Sequence, residues 1–161
     1  MQGWEATTTS GATYGNCFAA MPNYSIPVEI HHIIFANDVA NGCQIGGFST
    51  ANNGTTASVD YVAFVGNIAY NSLQGNSSCT SGFSIYQPIA SDTLPGTHIF
   101  IAGNFSYENF DPNPCAGAIP TDGEGIILDT LDGGQSGLPH PYAQQVVVEN
   151  KLVFLNGGRG I

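Results

Sequence analysis

Four stretches of the chain repeat one arrangement of apolar and polar positions: IIFANDVAN from Ile33, VAFVGNIAYN from Val62, IFIAGNFSYEN from Ile99 and VVVENKLVFLN from Val146. Each opens with apolar residues two apart, Ile33 and Phe35, Val62 and Phe64, Ile99 and Ile101, or Val146 and Val148. Each then reaches Asn37, Gly66, Gly103 or Asn150 and resumes two residues later at Val39, Ile68, Phe105 or Leu152. A period of two marks a strand with one face buried, and a recurring strand-turn-strand unit predicts a solenoid.

A third apolar run follows each unit behind a glycine, starting at Phe48, Phe83, Ile126 and Ile161, at intervals of 35, 43 and 35 residues. Three short strands per turn predict an all-β parallel β-helix of about four coils; a sandwich would need hairpin turns every 8 to 12 residues or so. Inward residues would stack on their equivalents about 4.8 Å along the axis, and a corner Asn would stack its amide on the next. The whole chain, 1–161, is expected to form one domain, with 1–27 an irregular leading segment. The remaining residues fall into loops at 71–81, 87–97, 109–121 and 129–143, where function is usually carried on a rigid scaffold.

The segments GNIAYN, GNFSYEN, DGEGIILD and ENKLVFLNGGRGI resemble the right-handed parallel β-helix proteins of the pectate-lyase-like superfamily, over roughly 27–161. The resemblance implies a right-handed solenoid and, as in many members, a polysaccharide lyase or glycoside hydrolase. Phage tailspikes, adhesins and isomerases share the fold, so function has to be argued from a site. Because Gly160-Ile161 matches the strand start at Gly125-Ile126, the chain is expected to be a fragment of a longer solenoid.

Composition narrows the partners. Charged residues make up only 9%, against about 25% in an ordinary soluble domain, which with many small polar residues suits an extracellular β protein. Two basic residues stand against twelve acids, a formal charge of -10 that argues against nucleic acid and against an anionic membrane surface. No apolar run approaches the roughly 18 residues of a membrane span, so membrane insertion is not expected. The N-terminus has no basic start or apolar core of a signal peptide, so a secretion signal is expected to lie outside this sequence. Cys17, Cys43, Cys79 and Cys115 are separated by 26, 36 and 36 residues without zinc-like spacing. Disulfides are favoured, Cys17 with Cys43 and Cys79 with Cys115, among three pairings.

The densest polar cluster, TDGEGIILDTLD, holds Asp122, Glu124, Asp129 and Asp132. Paired carboxylates serve glycoside cleavage as acid and base, and Asp122, Glu124 and Asp129 are candidate Ca²⁺ ligands. Alternation along the strand sets Glu124 and Asp129 on opposite faces, and the opposing reading is of solvated loop acids. Arg159, one coil beyond Glu124, is a candidate salt bridge to it or a donor to a sugar carboxylate. Glu124, Asp129 and Arg159 are thus the catalytic candidates, with Asp122, Asp132, Tyr142 and His140 as substrate contacts. The resemblance adds Lys151 as a β-elimination base, although its neighbours predict an exposed side chain. His32 and His98 are expected to stack near one edge as satisfied corners. Tyr86, Tyr107, Phe110 and Tyr142 offer rings for sugar stacking, while a structural ladder explains Tyr70, Tyr107 and Phe154 equally well. Asn23, Asn53, Asn76 and Asn104 head glycosylation sequons. The expected function is cleavage or binding of an extracellular polysaccharide. Its surface charge would require a Ca²⁺ bridge for a polyuronate but none for a neutral glycan. The alternative is a non-enzymatic, adhesin-like module that binds glycan or protein.

Overall fold

The computed structural model describes residues 2–8, 15–23, 25–26, 28–52, 56–73, 79–112, 123–131, 141–158 and 160–161. Among these residues there is no helix, and the strands in chain order are β1 (Glu5–Ala6), β2 (Phe18–Ala20), β3 (Ile30–Ala36), β4 (Val39–Asn41), β5 (Phe48–Ala51), β6 (Val59–Val65), β7 (Ile68–Tyr70), β8 (Phe83–Tyr86), β9 (Thr97–Ala102), β10 (Phe105–Tyr107), β11 (Ile126–Asp129), β12 (Gln145–Glu149) and β13 (Leu152–Phe154). Every third strand joins the same sheet, in the orders β3-β6-β9-β12, β1-β4-β7-β10-β13 and β2-β5-β8-β11, and every strand-to-strand ladder is parallel. The fold is a parallel β-helix with three strands per coil.

The registers match the repeat seen in the sequence. Ile33 pairs with Val62 and Phe35 with Phe64, and Val62 and Phe64 pair onward with Ile99 and Ile101. Phe18, Phe48 and Phe83 stack through the core at centroid distances of 4.7 and 4.9 Å, their ring planes nearly parallel. Phe35 and Phe64, 5.5 Å from each other, meet this column from the neighbouring sheet at 5.8 to 6.2 Å. Val146 and Val148 point inward as expected but are only half-buried, since no described strand lies beyond β12 in that sheet.

The corners are left-handed in every coil. After β3, β6, β9 and β12 stand Asn37, Gly66, Gly103 and Asn150, with φ between 51° and 66°. Glycine takes this conformation without cost and asparagine at little cost, which explains the sequence signal. The residue after each corner, rather than the corner itself, builds the polar ladder. Asp38 N donates to Asn67 Oδ1 and Asn67 N to Asn104 Oδ1, while the two amides return bonds to the Phe35 and Phe64 carbonyls. A second ladder follows β7, β10 and β13. Ser72 N donates to Asn109 Oδ1, and Asn109 N to Asn156 Oδ1.

The leading segment, expected to be irregular, supplies β1 and β2 in register with β4 and β5. These strands are two and three residues long, too short for alternation to reveal. A disulfide joins Cys17 to Cys43, fixing this segment to the next coil; closing a loop of 26 residues is worth about 3–4 kcal/mol. Cys79 is also disulfide-bonded. Its expected partner, Cys115, lies outside the described residues.

Candidate functional site

Two strands break the alternation at the same place. His32 and Tyr61 have φ of 57° and 48°, conformations that an L side chain rarely takes. A left-handed residue inside a strand lets two consecutive side chains leave on one side, as in a β-bulge. Val59 and Val62 therefore both face the core, and Asp60 and Tyr61 both face the outside of the solenoid. In β3 the same slip leaves His31 and His32 exposed together, their Nδ1 atoms 2.7 Å apart in a shared hydrogen bond. Strain of this kind collects where side chains must be aimed, which marks this face as the candidate site.

Asp60 is the hub. Its carboxylate accepts from the Tyr142 hydroxyl at 2.6 Å, from Ser91 N and Oγ at 2.8 and 2.9 Å, and from His98 Nδ1 at 3.0 Å. Burial alone would raise its pKa; the donors outweigh that and hold the carboxyl below its ordinary value. His98 is buried as well, which disfavours its charge. The Leu94 carbonyl at 2.9 Å from Nε2 and the Asp60 carboxylate outweigh this and hold its pKa above the ordinary value. Burial and the Asp60 charge push Tyr142 far up, so its hydroxyl stays a donor. The ring of His98 stacks on Tyr61 at 4.0 Å, and Tyr61 on His32 at 4.5 Å. The Tyr61 hydroxyl bonds the Asp92 carboxylate at 3.0 Å.

This cluster separates two hollows. On one side is a cleft of about 540 Å³ between the 88–93 loop and residues 141–144, with Asp92 and Tyr142 in its walls. On the other, a shallow groove of about 200 Å³ crosses the outer face of β3, β6 and β9 beside His32, Tyr61 and His98. Its floor is a registered row, Ile34 beside Ala63 beside Phe100, continued by Val147 on β12. At His32 and Ile34 it meets a hollow of about 510 Å³ along the edge of β3.

The Asp60–His98 pair does not have the form of a catalytic dyad. A general base needs a free lone pair, and both nitrogens of His98 are engaged with acceptors.

The candidates drawn from the sequence are distributed differently. Glu124 is buried at the corner before β11 and accepts from Ser81 Oγ at 2.9 Å. Asp129 closes the same strand, five residues on. The bend at Gly125 separates Glu124 from that strand, and Asp129 is half-buried at its far end, paired in register with Tyr86. Among the described residues no group of three or more His, Cys, Asp or Glu side chains is placed to hold a metal. Asp122, Asp132, His140 and Arg159 lie outside the described residues. Tyr142 is at the site, with its hydroxyl taken by Asp60 and its ring lining the cleft. Lys151, expected to be exposed, is half-buried in the position equivalent to Asn104. Burial lowers its pKa against the opposing effect of Glu149.

Tyr70, Tyr107 and Phe154 stack face to face at 5.1 and 5.2 Å. The covered ring faces leave no room for a sugar between them, so this row is a structural ladder. Asp60, Ser91 and Asp92 were not singled out from the sequence. The acid in VDYVAFV, in phase with the inward Val62 and Phe64, was the available signal.

No family model, curated protein or solved structure matches this chain. Function therefore rests on the geometry and on the resemblance of the strand-turn motifs.

Proposed function

We propose that this protein is an extracellular polysaccharide-binding β-helix that holds a neutral glycan along the outer face of β3, β6 and β9. The observation that carries the reading is the registered Ile34–Ala63–Phe100–Val147 row beside the His32–Tyr61–His98 stack. It forms an apolar strip about 14 Å long with a polar margin, repeating every 4.8 Å or so along the axis. Such a strip suits the apolar faces of successive sugars, with hydroxyls met by His32, Thr97 and Gln145. The formal charge of -10 disfavours a polyuronate. The Cys17–Cys43 disulfide is compatible with an extracellular setting, and the motifs resembling the pectate-lyase-like superfamily point to the same ligand class.

Cleavage is the second reading. It is favoured by the exposed His31–His32 pair, since imidazole is the side chain best suited to proton transfer.

The test is affinity electrophoresis against neutral polysaccharides and a polyuronate, with reducing ends and unsaturated products assayed in parallel. Retention by a neutral glycan, weakened about tenfold or more (~1.4 kcal/mol) in Ile34→Asp or Phe100→Asp, supports the reading. Retention by none of the neutral glycans, or retention unaffected by both variants, overturns it. Product release lost in His31→Ala or His32→Ala would establish the second reading.

A further inference from the structure

Among the described residues His98 faces two acceptors and no donor. Nδ1 lies 3.0 Å from both Asp60 oxygens, and Nε2 lies 2.9 Å from the Leu94 carbonyl. A neutral imidazole has one N–H and one lone pair, so it satisfies one contact and opposes a lone pair to an acceptor at the other. Only the imidazolium satisfies both.

We propose that His98 is a pH-sensitive latch: as the imidazolium it pins the turn carrying Asp92 and Leu94 to the outer face of β6 and β9, and on losing its proton it releases that turn and opens the wall of the adjoining cleft.

The geometry decides which contact goes. Nδ1–H faces a carboxylate and makes the charge-assisted bond, whereas Nε2–H faces a neutral carbonyl. The proton lost is therefore the one on Nε2. The Asp92 carboxylate, 3.9 Å from Nε2, loses its attraction at the same step. Asp60 keeps Tyr142 and Ser91 throughout, so Ser91 is the fixed end of the turn. Gly96, with φ 127° and no atom of the described residues within 4 Å of a Cβ position, is the free end. What then holds the turn is the bond from Tyr61 to Asp92 and one from Gln144 Nε2 to the Asp92 carbonyl at 2.9 Å.

Among the described residues, the titratable groups around His98 on this face are Asp60, Asp92, Tyr61, Tyr142, His31 and His32. Asp60 from β6 is held ionised by its donors. Tyr61, raised by burial and by Asp92, and Tyr142, raised by burial and by Asp60, stay protonated through the range where imidazole titrates. His31 and His32 from β3 stand on the far side of Tyr61, with His32 stacked on its ring. His98 itself is held above 6.5, because the Leu94 and Asp60 bonds outweigh the opposing effect of burial. Its contribution is thus complete below 6.5 and lost as the pH rises through the folded value.

The test uses the full chain without any glycan, so it succeeds or fails independently of the polysaccharide reading. Hydrogen exchange of residues 92–96, corrected for the intrinsic rate, is followed from acid to alkaline pH, alongside ¹⁵N shifts of the His98 ring. The expected result is a doubly protonated ring at acid pH. As the pH rises from 6.5 towards the folded value, opening of 92–96 should increase by up to tenfold per pH unit, the slope of one linked proton, and it should reach a plateau once the ring of the folded protein has titrated. His98→Gln should remove that pH dependence. A ring that is neutral at acid pH, protection of 92–96 unchanged through the titration, or the same pH dependence in His98→Gln would overturn the proposal. The ring titration and exchange of the unsubstituted protein decide the matter even where the variant fails to fold.

Discussion

The Tyr142 hydroxyl donates to Asp60 Oδ1 at 2.6 Å, joining positions 82 residues apart in the chain. Through that bond and those from Ser91, one carboxylate on β6 fastens two separate segments to the outer face of the solenoid.

Removing that donor tests how much the hub contributes. Tyr142→Phe is expected to lower stability by about 1.5–3 kcal/mol at neutral pH, the range for a hydrogen bond to a charged group. Asp60 is held below its ordinary 3.8, so its contribution is full above 3.8 and lost as the pH falls through the folded value. In urea unfolding over an acid series, the gap between the two proteins should narrow below pH 3.8. A gap constant at every pH would show that the bond does not depend on the carboxylate charge.

Within the first ladder, Asn67 serves two buried main-chain groups, Asp38 N and the Phe35 carbonyl. Asn67→Ala leaves both without that partner and is expected to cost about 2–6 kcal/mol, at about 1–3 for each group. A chemical denaturation midpoint within error of the unsubstituted protein would show that the ladder is dispensable.

Phe48 is fully buried in the middle of the Phe18–Phe48–Phe83 column, whereas Phe105 lies on an outer face with 44% of its surface exposed. Phe48→Ala should destabilise by about 3–5 kcal/mol, and Phe105→Ala by about 0.5–1 kcal/mol. Equal effects in thermal unfolding would contradict the assignment of inside and outside.

Alkylation without reductant should leave Cys17, Cys43 and Cys79 unmodified, since none is a free thiol. Cys17→Ser with Cys43→Ser should lower stability by about 3–4 kcal/mol, the value for a loop of 26 residues. Labelling of these three positions in the native protein would rule the bridges out.

Glu124 and the groove can be separated experimentally. Glu124→Ala removes the acceptor of Ser81 and is expected to lower the melting temperature while leaving glycan retention unchanged. Lost retention in a folded Glu124→Ala or Asp129→Ala protein would move the site to the 122–132 region.

The sequence by itself determined the solenoid. Alternation records which face of a strand each residue takes, and repetition of that record through Ile33, Val62, Ile99 and Val146 fixes which strands must stack. Asn37, Gly66, Gly103 and Asn150 announced the corners because few residue types accept positive φ cheaply. Other corners were not legible, because Glu108, Leu155, Gln87 and Thr130 adopt the same conformation without a compositional sign. The candidate site was decided by tertiary structure alone. By alternation Asp60 belongs with Val62 and Phe64 in the core; the slip at Tyr61 turns it outward, and its partners His98 and Tyr142 arrive from 38 and 82 residues away. A local pattern holds no record of such contacts, since they form only when stacked coils bring a bulge, a turn and a distant segment to one place.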